Sequence, residues 1–281
     1  MLHSAAYERH TPLLYFLKNS GPLVCALQCA FALIFFSIFT LQPAAFISLY
    51  FALWKSVCYK MTSSLKSVYH ISAFSWYAFV VMTLAAKDGE ELPPGICAYG
   101  GPWKYLTFLN LILQMLFFGL TAVNDLQRGK KSDSTLKRFT DLIFSVFAFP
   151  VGMFVVLLFW ALFAYDRELV YPATMDAFIP PWINHAMHTV VFPLLLGEFL
   201  VQPHAYPRTK NALATLGLVG AGYLFWILWV HVKVGIWVYP LLGHLNAVGL
   251  LGFFCFNMSL VTLIYLLGDK LNSRVWGKKL H

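Results

Sequence analysis

LIFSVFAFPVGMFVVLLFWALFA, residues 142–164, carries no charge and a single hydroxyl, that of Ser145. At about 1.5 Å per residue, a helix of this length crosses a hydrocarbon layer roughly 30 Å thick. It shows no period-2 alternation, so it is not a barrel strand. Further runs of spanning length lie around it at 68–86, 104–124, 181–201, 212–232 and 248–267. Prolines mark where such helices start or stop: Pro93-Pro94, Pro102, Pro180-Pro181, Pro207 and Pro240. Pro150 and Pro193 fall inside runs and predict kinks. The expected fold is all-α, a polytopic transmembrane bundle with a six-helix core over 61–281 and an N-terminal hydrophobic extension over 1–60.

The composition agrees. Of 281 residues, 59% are hydrophobic and 11% charged, against about a quarter charged in a soluble domain. So much apolar surface cannot be hidden behind so few polar residues in water. A secreted domain, a cytosolic enzyme and a nucleic-acid binder are excluded, despite the net charge of +8. That charge is a topology signal. Arg128, Lys130, Lys131, Lys137, Arg138, Arg208, Lys210, Lys270, Arg274, Lys278, Lys279 and Lys66 all fall on one side of the core. The other side holds only Lys87, Lys104, Arg167 and Lys233, accompanied by acids. The positive-inside rule puts both ends of the core in the cytoplasm; the expected location is the cell membrane, the endoplasmic reticulum or both.

Residues 1–60 stay open. The apolar stretch from Gly21 to Trp54, interrupted at Gln42-Pro43, fits a tight hairpin, one long tilted helix or a cleaved signal-like segment. Cys25, Cys29, Cys58, Cys97 and Cys255 have no metal-finger spacing and indicate no disulfide framework.

Polar residues inside spans are costly, which makes them the places to look for chemistry. One cluster is GGPWKYLTFLN, 100–110, at the outer entry of the second core helix. Its glycines allow an unusual turn, Pro102 suits a first helical turn, and Lys104 is placed to snorkel to the headgroups. Thr107 lies about one turn deeper. Its bland reading is a bond back to the carbonyl of Trp103. A second cluster is PPWINHAMHT, 180–189, at the outer entry of the fourth helix, where His185 and His188 share a face. Their bland reading is a structural hydrogen bond. Thr107 and His188 enter from the same side to comparable depth, and they meet if the two helices pack together.

A threonine hydroxyl becomes a useful nucleophile when a base takes its proton during attack, and neutral imidazole suits that task near pH 7. The Gly100-Gly101 amides, Asn184 and Asn110 are the candidate oxyanion donors. With no acidic orienter in the outer half, the reading is a dyad. It calls for no cofactor. The alternatives are a catalytic zinc held by His185 and His188 with His231, His244 or Asp166, and a non-catalytic membrane regulator. A third cluster, Asn124-Asp125 and Glu198, lies at the inner end, where the expectation is that Glu198 pairs with a loop residue such as Arg208.

WKYLTFLNLILQ (103–114), AFPVGMFV (148–155), YDRELVYP (165–172), FIPPWINHAMHT (178–189), HAYP (204–207), WVYP (237–240) and IYLLGDKLN (264–272) together resemble the androgen-induced / androgen-dependent tissue factor pathway inhibitor-regulating protein family. The androgen-dependent branch looks the closer, and Met61 falls where that family's chains begin. The resemblance implies a membrane-embedded hydrolase of fatty acid esters of hydroxy fatty acids, its partners a branched lipid ester and the bilayer. The family's threonine nucleophile falls on Thr107 and its histidine on His188. Lys104 is then expected to hold the substrate carboxylate, with Asn184, His185 and Asn110 near the reacting ester. The family is also described as influencing cell-surface expression of an anticoagulant.

Overall fold

A computed structural model describes residues 63–87, 99–127 and 134–277. The extension, Pro93-Pro94, Cys97, the loop cations Arg128, Lys130 and Lys131, and Lys278 and Lys279 lie outside the described residues. Among those described, the regular structure is all helix. The main helices are α1 (Ser63–Ala86), α2 (Leu106–Leu126), α3 (Ser134–Leu142), α4 (Phe149–Asp166), α5 (Pro181–His188), α6 (Val191–Val201), α7 (Thr209–Val234), α8 (Pro240–Gly243) and α9 (Ala247–Trp276). Five of the described helical stretches are long and apolar enough to cross a membrane: Ser64–Ala86, Leu106–Leu126, Thr135–Leu169, Thr209–Val234 and Ala247–Trp276. The protein is an all-α polytopic bundle, as the hydropathy predicts.

The sixth expected span, 181–201, is helical but broken, and it is not among these five. α5 ends at His188 and α6 begins at Val191. The cause is Pro193, which has no N–H to give the carbonyl of Thr189 one turn back. That carbonyl accepts instead from Phe192 N at 3.1 Å. Pro150 acts more gently. The turn before it, Ile143–Ala148, widens into a π-helix joining α3 to α4, so the missing donor is absorbed without a break.

α4 is the central helix, packed against α2, α5, α6 and α9. Phe149, Met153, Phe154, Val155, Val156 and Phe159 are all buried along it. Between membrane helices, association depends on close van der Waals fit and interhelical hydrogen bonds, because lipid is as apolar as leucine. Gly152 shows the fit. A Cβ there would lie 2.6 Å from Leu195 Cδ1 and 2.7 Å from Gln114 Nε2. The missing side chain lets α4 approach α6 and lets the Gln114 amide cross from α2.

Candidate active site

The entry to α2 is built by a turn that only glycine makes cheaply. Gly100 (φ 90°) and Gly101 (φ 49°) both take left-handed conformations. The chain then passes through a 3-10 turn, Gly101–Lys104, with Pro102 inside it, and an extended Tyr105. Helix starts leave amides without intrahelical partners, and tyrosines from elsewhere resolve this one. Leu106 N donates to Tyr239 Oη at 2.9 Å. Tyr239 donates in turn to Tyr223 Oη (3.0 Å), which donates to the Lys104 carbonyl (3.0 Å). The relay pins Thr107, the second residue of α2.

His188 is the last residue of α5, set by the break described above. Because Phe192 N has turned to Thr189, the His188 carbonyl is released from helix pairing, and Trp160 Nε1 donates to it at 2.9 Å. The imidazole is 3% exposed and stacks on Phe159, ring centroids 3.5 Å apart. Its Nδ1 lies 3.0 Å from the Asn184 backbone carbonyl and 2.8 Å from Asn184 Oδ1. A backbone carbonyl can only accept, so Nδ1 carries the ring proton and Nε2 presents a lone pair. Thr107 Oγ1 lies 3.1 Å from that Nε2 and donates to it.

The helices thus bring Thr107 and His188 into hydrogen-bond contact. The bland alternative for Thr107, a bond to the Trp103 carbonyl, gives way to this one; that carbonyl accepts from Trp226 Nε1 at 3.3 Å. Asn184, a candidate oxyanion donor by sequence, sits behind the ring with its oxygen on Nδ1, in the orienting position. His185 does not face Thr107. It reaches Thr189 Oγ1 at 3.1 Å and stacks on Trp160. Asn110 is buried one turn deeper than Thr107, its Oδ1 accepting from Gln114 Nε2 at 2.9 Å.

Lys104 departs from its snorkelling expectation. It is 3% exposed and lines a cavity of about 50 Å³ with Tyr105, Val230 and Trp237, its Nζ 5.4 Å from the Tyr105 ring centre. The 3-10 turn curls the residue inward instead of leaving it along the helix rim. The zinc arrangement does not assemble: among the described residues no three His, Cys, Asp or Glu side chains gather into a set that could hold a metal ion.

The inner cluster is larger than the sequence suggests. It lies at the other end of α2, about 27 Å along the axis from Thr107. Glu198 pairs with two histidines in place of Arg208. His70 Nε2 is 2.9 Å from Glu198 Oε2 and His70 Nδ1 is 2.6 Å from Asp125 Oδ2. His204 Nε2 is 3.0 Å from Glu198 Oε1, and His204 Nδ1 is 2.9 Å from Asp141 Oδ1. Lys137 closes the chain on Asp141 at 2.6 Å. Glu198 is enclosed by α1, α2 and the 202–208 connection, out of reach of an exposed Arg208.

With this geometry in view, the comparisons with known proteins are specific. Residues 65–273 match the family model described as FAR-17a/AIG1-like protein. The human androgen-dependent TFPI-regulating protein is 43% identical over 77% of this chain and 96% of its own length. The human androgen-induced gene 1 protein is 42% identical over 65% of this chain and 81% of its own. A membrane protein of Schizosaccharomyces pombe is 22% identical over 54% of this chain and 66% of its own. No solved structure shows a significant match. The chain belongs to the FAR-17a/AIG1-like family of membrane proteins.

Proposed function

We propose that the protein is an intramembrane lipid esterase that hydrolyses fatty acid esters of hydroxy fatty acids, with Thr107 as nucleophile and His188 as general base. The observation that carries this reading is the 3.1 Å contact of Thr107 Oγ1 with a His188 Nε2 whose other nitrogen is held by Asn184. Nucleophile, base and orienter in sequence is the arrangement that makes a weak hydroxyl reactive. Thr107 Oγ1 attacks the ester carbonyl carbon while its proton passes to His188 Nε2. As the tetrahedral intermediate collapses, His188 returns that proton to the departing alkoxide, releasing the hydroxy fatty acid and leaving an acyl-threonine. Water, deprotonated by the same nitrogen, then attacks the acyl carbon, frees the fatty acid and restores Thr107.

Two features support the substrate class. The site sits at the entry of membrane helices, where an acyl chain lies in hydrocarbon and a carboxylate at its edge. Lys104, three residues before Thr107, supplies an ammonium for the free carboxylate of a branched fatty ester. By the positive-inside rule the site faces away from the cytoplasm.

A fluorophosphonate probe on protein in native membranes tests the nucleophile. Labelling is expected on Thr107, mapped by peptide mass, and absent in Thr107→Ala at equal expression. A label that persists in that variant refutes the assignment.

A further inference from the structure

Asn110 is 1% exposed, yet its Nδ2 has no hydrogen-bond partner among the described residues. Native interiors rarely leave a carboxamide donor unpaired without a reason. Which end of the side chain is nitrogen follows from its neighbour. Gln114, fully buried on the next turn, donates one Nε2 proton to the Ala148 carbonyl at 2.8 Å. That carbonyl can only accept, so the Gln114 atom is nitrogen. The atom it meets on Asn110, at 2.9 Å, must therefore be the accepting Oδ1. The Asn110 carboxamide is thus fixed with its oxygen committed toward the deeper turn and its N–H group left over. Asn110 is three residues beyond Thr107 on the same helix, and i, i+3 side chains are neighbours on one face.

We propose that Asn110 Nδ2 is the oxyanion donor of the site. This rests on the reading of Thr107 as nucleophile. When Thr107 Oγ1 bonds to the acyl carbon, the carbonyl π electrons move onto its oxygen, and that oxygen accepts the Asn110 N–H. On collapse the electrons return and the ester C–O bond breaks. The hydrogen bond strengthens as charge develops, so it accelerates the chemical step more than it tightens substrate binding. Asn184, whose oxygen is engaged on the far side of His188, is left to orient the base. The two asparagines that the sequence offers as equivalents take different parts.

The test compares wild type, Thr107→Ala, Asn110→Ala and the isosteric Asn110→Asp, each purified in lipid nanodiscs with a thermal melt recorded. The substrate is a defined branched fatty ester. Two probes accompany it: a long-chain alkyl trifluoromethyl ketone, which forms an oxyanion adduct, and an ether analogue, which does not. Both Asn110 variants are expected to lower kcat by about 10²–10³, with KM within threefold. They should weaken the ketone by the same factor and leave the ether analogue unchanged. Asn110 variants active to within threefold of wild type overturn the inference while the Thr107 reading stands. Equal weakening of ketone and ether indicates a structural residue and also overturns it. Full activity in Thr107→Ala removes the reading beneath and this inference with it.

Discussion

Asn184→Ala removes one of the two acceptors that hold the His188 ring proton. The carboxamide oxygen at 2.8 Å is lost, but the backbone carbonyl of the same residue, at 3.0 Å, remains. The ring keeps its tautomer, and Nε2 still faces Thr107. The expected loss is therefore that of one neutral hydrogen bond out of two, about 0.5–1.5 kcal/mol, or roughly 2- to 10-fold in kcat. Two other roles would give different numbers. An oxyanion donor costs on the order of 10²–10³ when removed, and an orienter whose loss reverses the imidazole costs on the order of 10⁴. The assay is single-turnover acid release from a branched ester by protein in nanodiscs, with the melting temperature followed in parallel. A loss above about 100-fold at an unchanged melting temperature would refute the orienting role and return Asn184 to the oxyanion side of the site.

Other parts of the molecule give equally direct expectations. Lys104→Gln should raise KM for branched esters with a free carboxylate more than for their methyl-capped forms, measured on one preparation; equal effects would remove Lys104 from substrate recognition. Glu198→Gln should lower stability in detergent by about 1–3 kcal/mol, because the amide keeps one accepting oxygen and turns an N–H toward the other of His70 and His204, while each histidine retains its second carboxylate, Asp125 or Asp141. A thermal melt unchanged by that substitution would show that the chain from Asp125 to Lys137 does not hold the helices together.

Much of the fold is legible because apolar runs and prolines act locally. Span 142–164 and the break near Thr189 follow from residues within one turn of each other, Pro150 and Pro193 among them. The pairing of Thr107 with His188 is foreseeable from their matching depth. What sequence leaves hidden is set by packing between distant segments. Glu198 has Arg208 ten residues away as an apparent partner, but His70, on a helix far earlier in the chain, takes its place. Lys104 looks like a snorkelling residue until the left-handed Gly100-Gly101 turn carries it inward. Asn184 and Asn110 are chemically identical as residues. Only their neighbours tell them apart: both oxygens accept, one from the His188 ring and the other from the Gln114 amide, and among the described residues Asn110 Nδ2 has no partner. Trp160 and Tyr239 hold the segments that carry His188 and Thr107, through the His188 carbonyl and the Leu106 amide.

The proposed chemistry stands or falls on ester hydrolysis by the purified protein, with wild type, Thr107→Ala and His188→Ala compared on a defined fatty acid ester of a hydroxy fatty acid. Wild type should release both acids in equal amounts, and either substitution should abolish turnover while expression and melting behaviour persist. No hydrolysis by folded wild type, or turnover that survives Thr107→Ala, would contradict it.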